Sequence, residues 1–241
     1  MEKKIIGVIG GMGPIATSHY MELIIRMTDA EVDQEHLDMI IYNIPSIPDR
    51  TEYILDHSKP NPLPEIIRIG KKLEEAGADY LCMPCITAHY FAKTLEQEFN
   101  HPFINIVEET AAYLNNKGIT KAGIMATDGT VHSGLFQKAF EKYGIEPVIP
   151  SPEMQKNVMH IIYQNVKANI PAELDRFESV EKELKANGAQ AIILGCTELS
   201  LVKRDEKIGS GFLDGMEVLA QTTVRLCGCK VKEKYLELIS E

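Results

Sequence analysis

A chain of 241 residues with 35 acidic and 25 basic side chains, a formal net charge of −10, lacks the basic stripe that a nucleic acid or an anionic membrane surface would need, though a small basic pocket for an anionic ligand stays open. Its 44% apolar and 25% charged residues are the proportions of a soluble globular protein, and no run approaches the ~18 consecutive apolar residues of a membrane-spanning helix. Five cysteines, an odd number, make no disulfide framework, so reduced thiols and a cytoplasmic location are expected.

In chain order, KKIIGVIG (3–10) reads as a first strand whose apolar run breaks into glycines too early for a secretory leader. GGMGPIA (10–16) then leads into a helix over 14–30, with Pro14 at its opening turn. Its G-x-G-x-x-A skeleton also begins dinucleotide-binding units, but the second strand (37–44) and the residues after it, LDMIIYNIPS, close on Asn43 and Ser46 rather than on an acid. The preferred reading is an anion-binding turn without a nucleotide. Arg50, in SIPDRT, follows that strand on a loop at its carboxyl end, where it can clamp a carboxylate or remain a solvated surface charge.

Further strands are expected over 79–85, 102–107, 121–127, 146–150 and 190–196, and helices over 63–77, 107–118, 134–144, 153–168 and 176–188. Near-continuous apolar strands alternating with helices predict parallel α/β sheets covered on both faces. Lys167 falls near the end of the 153–168 helix, where a cation also suits the helix dipole.

The chain also repeats. KKLEEAGADYLCMPC (71–85) lies over EKELKANGAQAIILGC (181–196), pairing Gly77-Ala78 with Gly188-Ala189 and Cys85 with Cys196. Upstream, IGVIGGMG (6–13) lies over AGIMATDG (122–129), pairing Gly7 with Gly123. A repeat of half the chain is too long for a solenoid unit. It predicts two pseudo-symmetric lobes, each a short parallel sheet flanked by helices, with the active site in the cleft between them. The expected lobes are residues 1–110, completed by a C-terminal helix over 214–241, and residues 111–213.

Ligands of open parallel sheets bind beyond the carboxyl ends of the strands. Cys85 and Cys196 each end a strand and precede a helix start, where backbone N–H groups favour a thiolate. A pseudo-twofold axis brings the two thiols to one cleft from opposite sides. Two acid–base groups on opposite faces of one carbon are what stereoinversion requires. A lone cysteine is more often a small buried hydrophobe; the symmetric placement argues otherwise for this pair. Cys82, three positions before Cys85, points to the opposite face and into the core. Its C-x-x-C spacing with Cys85 also suits a redox dithiol, and Cys227 and Cys229 would extend it to a zinc site; both rank lower. His89 and Glu198 trail their cysteines by four and two residues and read equally as helix-face residues, and His132 carries no signal beyond that of a surface histidine.

IGGMGPIAT (9–17), MPCITAH (83–89) and LGCTEL (194–199), in this order and at these separations, resemble the aspartate/glutamate racemase family over essentially the whole chain. The resemblance implies an isomerase that needs no pyridoxal phosphate, no other cofactor and no metal, takes a small amino acid as its partner, and is commonly a homodimer. It implies that Cys85 and Cys196 are the two bases, and that Met12, Arg50, Thr87 and Lys167 line the site, Arg50 and Lys167 holding carboxylates. The expected activity is racemisation of aspartate, glutamate or both. A related carbanion isomerase or decarboxylase, or an amino-acid-binding protein without turnover, are the alternatives. One position departs from the family pattern: Ile86 stands where the first motif usually has an asparagine. Loss of that amide removes a hydrogen bond to a charged substrate group, about 1.5–3 kcal/mol.

Overall fold

A computed structural model of the protein describes residues 3–240. The first half builds a three-stranded sheet from β1 (Ile6–Gly10), β2 (Met39–Asn43) and β3 (Tyr80–Cys82), in the order β2-β1-β3, all parallel. The second half builds a four-stranded sheet from β4 (Lys121–Ala126), β5 (Glu146–Val148), β6 (Ala191–Gly195) and β7 (Phe212–Asp214), in the order β5-β4-β6-β7, again all parallel. Every residue of β1 and of β6 is buried, as expected of strands covered on both faces.

Helices supply the cover. In the first half these are α1 (Pro14–Met27), α2 (Arg50–Leu55), α3 (Leu63–Glu75), α4 (Ala92–Glu98) and α5 (Ile106–Asn116). In the second they are α6 (Asp128–Ser133), α7 (Leu135–Glu141), α8 (Pro152–His160), α9 (Leu174–Ala186), α10 (Thr197–Asp205) and α11 (Gly215–Leu226). Helix α3 shows why: Ile66, Ile69, Gly70 and Leu73 recur at helical spacing, and that one stripe is buried. Helix α11 packs on α1 and α5, and α5 itself runs through residue 110, the expected boundary between the halves.

The repeat is visible in the packing. A Cβ placed on Gly7 in β1 would meet Ala78 Cβ at 2.8 Å, Leu81 Cδ2 at 2.9 Å and Leu73 Cβ at 3.0 Å. One placed on Gly123 in β4 would meet the equivalent trio, Ile192 at 3.2 Å and Ala189 and Leu184 each at 3.3 Å. Glycine is thus required at both positions by the approach of α3 to β1 and of α9 to β4. Gly7→Ala is expected to destabilise the protein by about 1–3 kcal/mol through overpacking. Gly123→Ala, with looser contacts, should cost less; denaturant titration of the two variants checks the ranking.

Several elements differ from the sequence reading. The segment 102–107 forms no strand. It makes one parallel bridge, Leu81 to Phe103, and then Asn105 caps α5, its side-chain oxygen accepting the Val107 N–H at 3.2 Å. Strand β3 stops at Cys82, so Cys85 lies in a turn, with its N–H donating to Met83 O at 2.8 Å, and a 3₁₀ turn (Thr87–Phe91) follows. The helix expected over 153–168 is α-helical only to His160. It widens into a π turn over Ile161–Asn165 and tightens into a 3₁₀ turn over Val166–Ala168. The C-terminal helix is shorter than 214–241: α11 ends at Leu226, and the chain beyond runs irregularly, bridging Val231 to Thr28 and Ile239 to Leu213. Strand β7 was not anticipated, being three residues between glycines.

Candidate active site

The carboxyl ends of both sheets face one narrow cavity. Met12, Arg50, Cys85, Ile86 and Thr87 reach it from the first half and Lys167 and Cys196 from the second, so all seven side chains singled out in the sequence line the same space. Its free volume is about 10 Å³, room for one water molecule.

Met12 is placed by the glycine loop. Gly11 adopts φ +98°, and the Ile44 backbone would lie 2.4 Å from a Cβ there, so only glycine fits. The Gly11 N–H donates to Thr17 Oγ1 at 2.9 Å, which in turn donates to Gly13 O at 3.0 Å, closing the loop onto α1. The carboxylate nearest this loop is the protein's own: Glu198 Oε1 lies 3.6 Å from where a Gly13 Cβ would sit.

Each thiol has a distinct electrostatic neighbour. Arg50, 8% exposed, donates from Nη1 to Pro48 O at 2.8 Å and Ile47 O at 3.1 Å, while its buried Nε has no partner. Burial alone would lower the pKa of its guanidinium, but Cys85 and Asp49 beside it more than offset that and raise it. A fixed positive charge therefore stands next to Cys85. Cys196, the N-cap of α10, donates its thiol proton to Glu198 Oε2 at 2.9 Å. Burial first, and then the Glu198 charge, push the Cys196 thiol well above its ordinary pKa, against the opposing pull of Lys167. Lys167 itself is held charged: burial works against it, but Glu198, Tyr163, Cys196 and Asp49 together raise its pKa.

Thr87 Oγ1 lies 2.9 Å from Thr127 Oγ1, and Thr130 Oγ1 lies 3.1 Å from both. Three buried hydroxyls from the two halves thus close a ring at the cavity wall. Ile86 presents an apolar wall and reaches into the core, its Cδ1 against Gly215.

The remaining candidates separate cleanly. Cys82 lies in the core cluster on the other side of the sheet from Cys85, 3.3 Å from the Tyr20 hydroxyl, and burial pushes its thiol up to about 12. It is not a partner for Cys85. Cys227 is buried, Cys229 is half-buried, and among the described residues no group of three or more His, Cys, Asp and Glu side chains is arranged to hold a metal ion. His89 does not line the cavity. It is buried, with Nδ1 3.0 Å from Cys85 O, and so helps to fix the turn that carries the thiol. His132 sits exposed in the last turn of α6, away from the cavity.

Asp49, Thr51, Thr127, Tyr163, Thr197 and Glu198 also line the site, and sequence reasoning either passed over them or, for Glu198, left the role open. The repeat held a signal for three of them. By its offsets Thr197 and Glu198 are the counterparts of Ile86 and Thr87, and Thr127 is the counterpart of Gly11. Tyr163 stands four residues before Lys167, one helical turn away on the same face.

A family model described as Asp/Glu/hydantoin racemase matches residues 9–223. A broad specificity amino-acid racemase of Bacillus subtilis, RacX, is 29% identical over 91% of this chain and 96% of its own length. Among solved structures, an aspartate racemase from Picrophilus torridus is 34% identical, covers 97% of this chain and 98% of its own, and superposes with a TM-score of 0.84. An aspartate racemase homologue from Pyrococcus horikoshii is 25% identical, covering 93% and 99%, with a TM-score of 0.74.

Proposed function

Because the chain belongs to the Asp/Glu/hydantoin racemase family, we propose that it racemises aspartate, glutamate or both without a cofactor, by a two-cysteine exchange of the Cα proton. The observation that carries this reading is that equivalent positions of the two half-chains, Cys85 and Cys196, line one cavity with a cation near each. The substrate lies between the thiols, one carboxylate taken by Arg50 and the other by Lys167. One cysteine, as thiolate, removes the Cα proton, and the other, as thiol, delivers a proton to the opposite face. After each turnover their protonation states have exchanged, and the roles reverse for the other enantiomer.

Arg50 stands beside Cys85, while Glu198 accepts from the Cys196 thiol and aims its proton. The Glu198 contact supports Cys196 as the first acid, which leaves Cys85 as the first base. The carbanionic transition state is stabilised by the two cations in a nearly water-free cavity, where their effect exceeds that in solvent. The enzyme would work in the cytoplasm as a homodimer.

Ile86 favours one second reading, a substrate range wider than the acidic amino acids, since an apolar wall replaces an amide donor to the substrate carboxylate. The B. subtilis relative, named a broad specificity amino-acid racemase, is in line with it. Incubation with D- and L-amino acids in deuterated water separates the two. Deuterium at Cα with inversion is expected for aspartate or glutamate. Faster exchange with neutral amino acids moves the substrate class, and neither exchange nor inversion over the panel overturns the racemase reading.

A further inference from the structure

The cation at the Cys196 side of the cavity is already engaged. Lys167 Nζ lies 3.6 Å from Asp49 Oδ2 and 4.2 Å from the centre of the Tyr163 ring. The Tyr163 hydroxyl donates to the same carboxylate, 3.2 and 3.3 Å from its two oxygens. Asp49 comes from the first half and the other two from the second, so the contact ties the halves together across the cleft mouth. Its two sides differ in firmness. Asp49 is fixed as the N-cap of α2, accepting the Glu52 N–H at 3.0 Å. Tyr163 and Lys167 stand on the π turn and the 3₁₀ turn, which end at Asn169 with φ 59°. Wide turns of this kind interrupt the regular helical ladder and recur at functional sites.

Behind the contact lies the thiol-lined cavity, with its single water's worth of room. In front lies a groove of about 360 Å³ free volume, walled by apolar side chains such as Ile15, Ile47 and Leu201. Asp49, Arg50, Lys167 and Glu198 line both spaces. The Asp49–Lys167 pair is therefore part of the partition between them, and an amino acid that enters from this groove reaches the thiols only if the partition yields.

We infer that Asp49 is a specificity-determining gate residue, holding Lys167 until a carboxylate of the incoming ligand takes its place. Exchange of one carboxylate for another keeps the Lys167 ammonium, its side chain 26% exposed, paired throughout, whereas opening without a replacement leaves it without its ion-pair partner at the cleft mouth. Arg50 needs no such exchange, because its Nε is unpartnered and can receive a first carboxylate directly. The second carboxylate is the one that must displace Asp49. The gate thus admits dicarboxylates, and its own strength is subtracted from their affinity. The inference takes the nature of the substrate from the racemase reading, but the competition at Lys167 does not depend on turnover.

Asp49→Asn tests it, because asparagine keeps the N-cap oxygen and the acceptor for Tyr163 while removing the charge. Succinate and butyrate, a dicarboxylate and a monocarboxylate with no stereocentre, are titrated calorimetrically into wild type and variant. Succinate is expected to bind the variant about tenfold more tightly, a gain at least five times that of butyrate. Tyr163→Phe, which loosens the hold on Asp49 but leaves every charge in place, should tighten succinate about two- to threefold and leave butyrate unchanged. Unchanged, weakened or undetectable succinate binding in a folded Asp49→Asn variant overturns the inference, as does an equal gain for the two ligands. If that variant does not fold, Tyr163→Phe decides alone, and an unchanged succinate affinity overturns it. Failure of the racemase reading is seen separately, as the absence of deuterium exchange in the wild type.

Discussion

Serine in place of Cys85, or of Cys196, is expected to lower racemisation on the order of 10³-fold in both directions, since each turnover in either direction needs one base and one acid on opposite faces of Cα. The two variants should differ in what survives. A protein that keeps only Cys85 can still remove the Cα proton from one enantiomer and return it, or a solvent proton, to the same face. A protein that keeps only Cys196 can do so for the other enantiomer. Slow deuterium wash-in without inversion, confined to one enantiomer in Cys196→Ser and to its mirror image in Cys85→Ser, is therefore the expected pattern by proton NMR. It would also assign each thiol to a face. Retention of full racemisation by either variant removes the two-thiol mechanism. The cavity makes the test clean, since serine is smaller than cysteine and both positions are almost fully buried, at 6% and 5% exposure.

The second large effect is on stability. His89 is 2% exposed, its Nδ1 lies against the Cys85 carbonyl, its ring stacks near Phe103 at 5.3 Å, and burial pulls its pKa from 6.5 down to about 4. Between these values the unfolded chain binds a proton that the folded protein does not. Stability from this group is thus fully present above pH 6.5 and is lost as pH falls toward 4, by about 3 kcal/mol over the window. His89→Asn places an amide donor near the position of Nδ1 but cannot be protonated. Its stability at pH 7 should be lower, from the smaller side chain, yet its decline between pH 6.5 and 4 should be flatter than that of the wild type by most of that amount. Denaturant titrations at pH 7, 5.5 and 4 give the comparison. Parallel pH curves for the two proteins would mean that His89 is not the group responsible.

How far the molecule was legible depends on the range of the interactions involved. The β1 and β6 strands, the amphipathic stripe of α3 and the glycine loop before α1 rest on local signals, namely continuous apolar runs, helical spacing and turn residues. The half-chain repeat supplied one non-local fact, and from it came the pairing of Cys85 with Cys196. Where local propensity met a competing contact, the reading failed. PFINIV has the composition of a strand, but Asn105 supplies a helix cap and Ile106 is drawn into α5. The 153–168 segment has helical periodicity throughout, yet its last two turns deform where Tyr163 and Lys167 reach Asp49.

What the order of residues determined unaided is the parallel α/β class, the doubled design and the two thiols that follow equivalent strands, because each of these is written in spacing along a single stretch or its copy. The tertiary structure alone decided which charges those thiols meet: Arg50 beside Cys85, Glu198 and Lys167 beside Cys196, and Asp49 closing on Lys167. Electrostatic effects fall steeply with distance and grow with burial, so a partner 114 residues away in the chain, as Asp49 is from Tyr163, acts only once folding has brought it within about 3 Å.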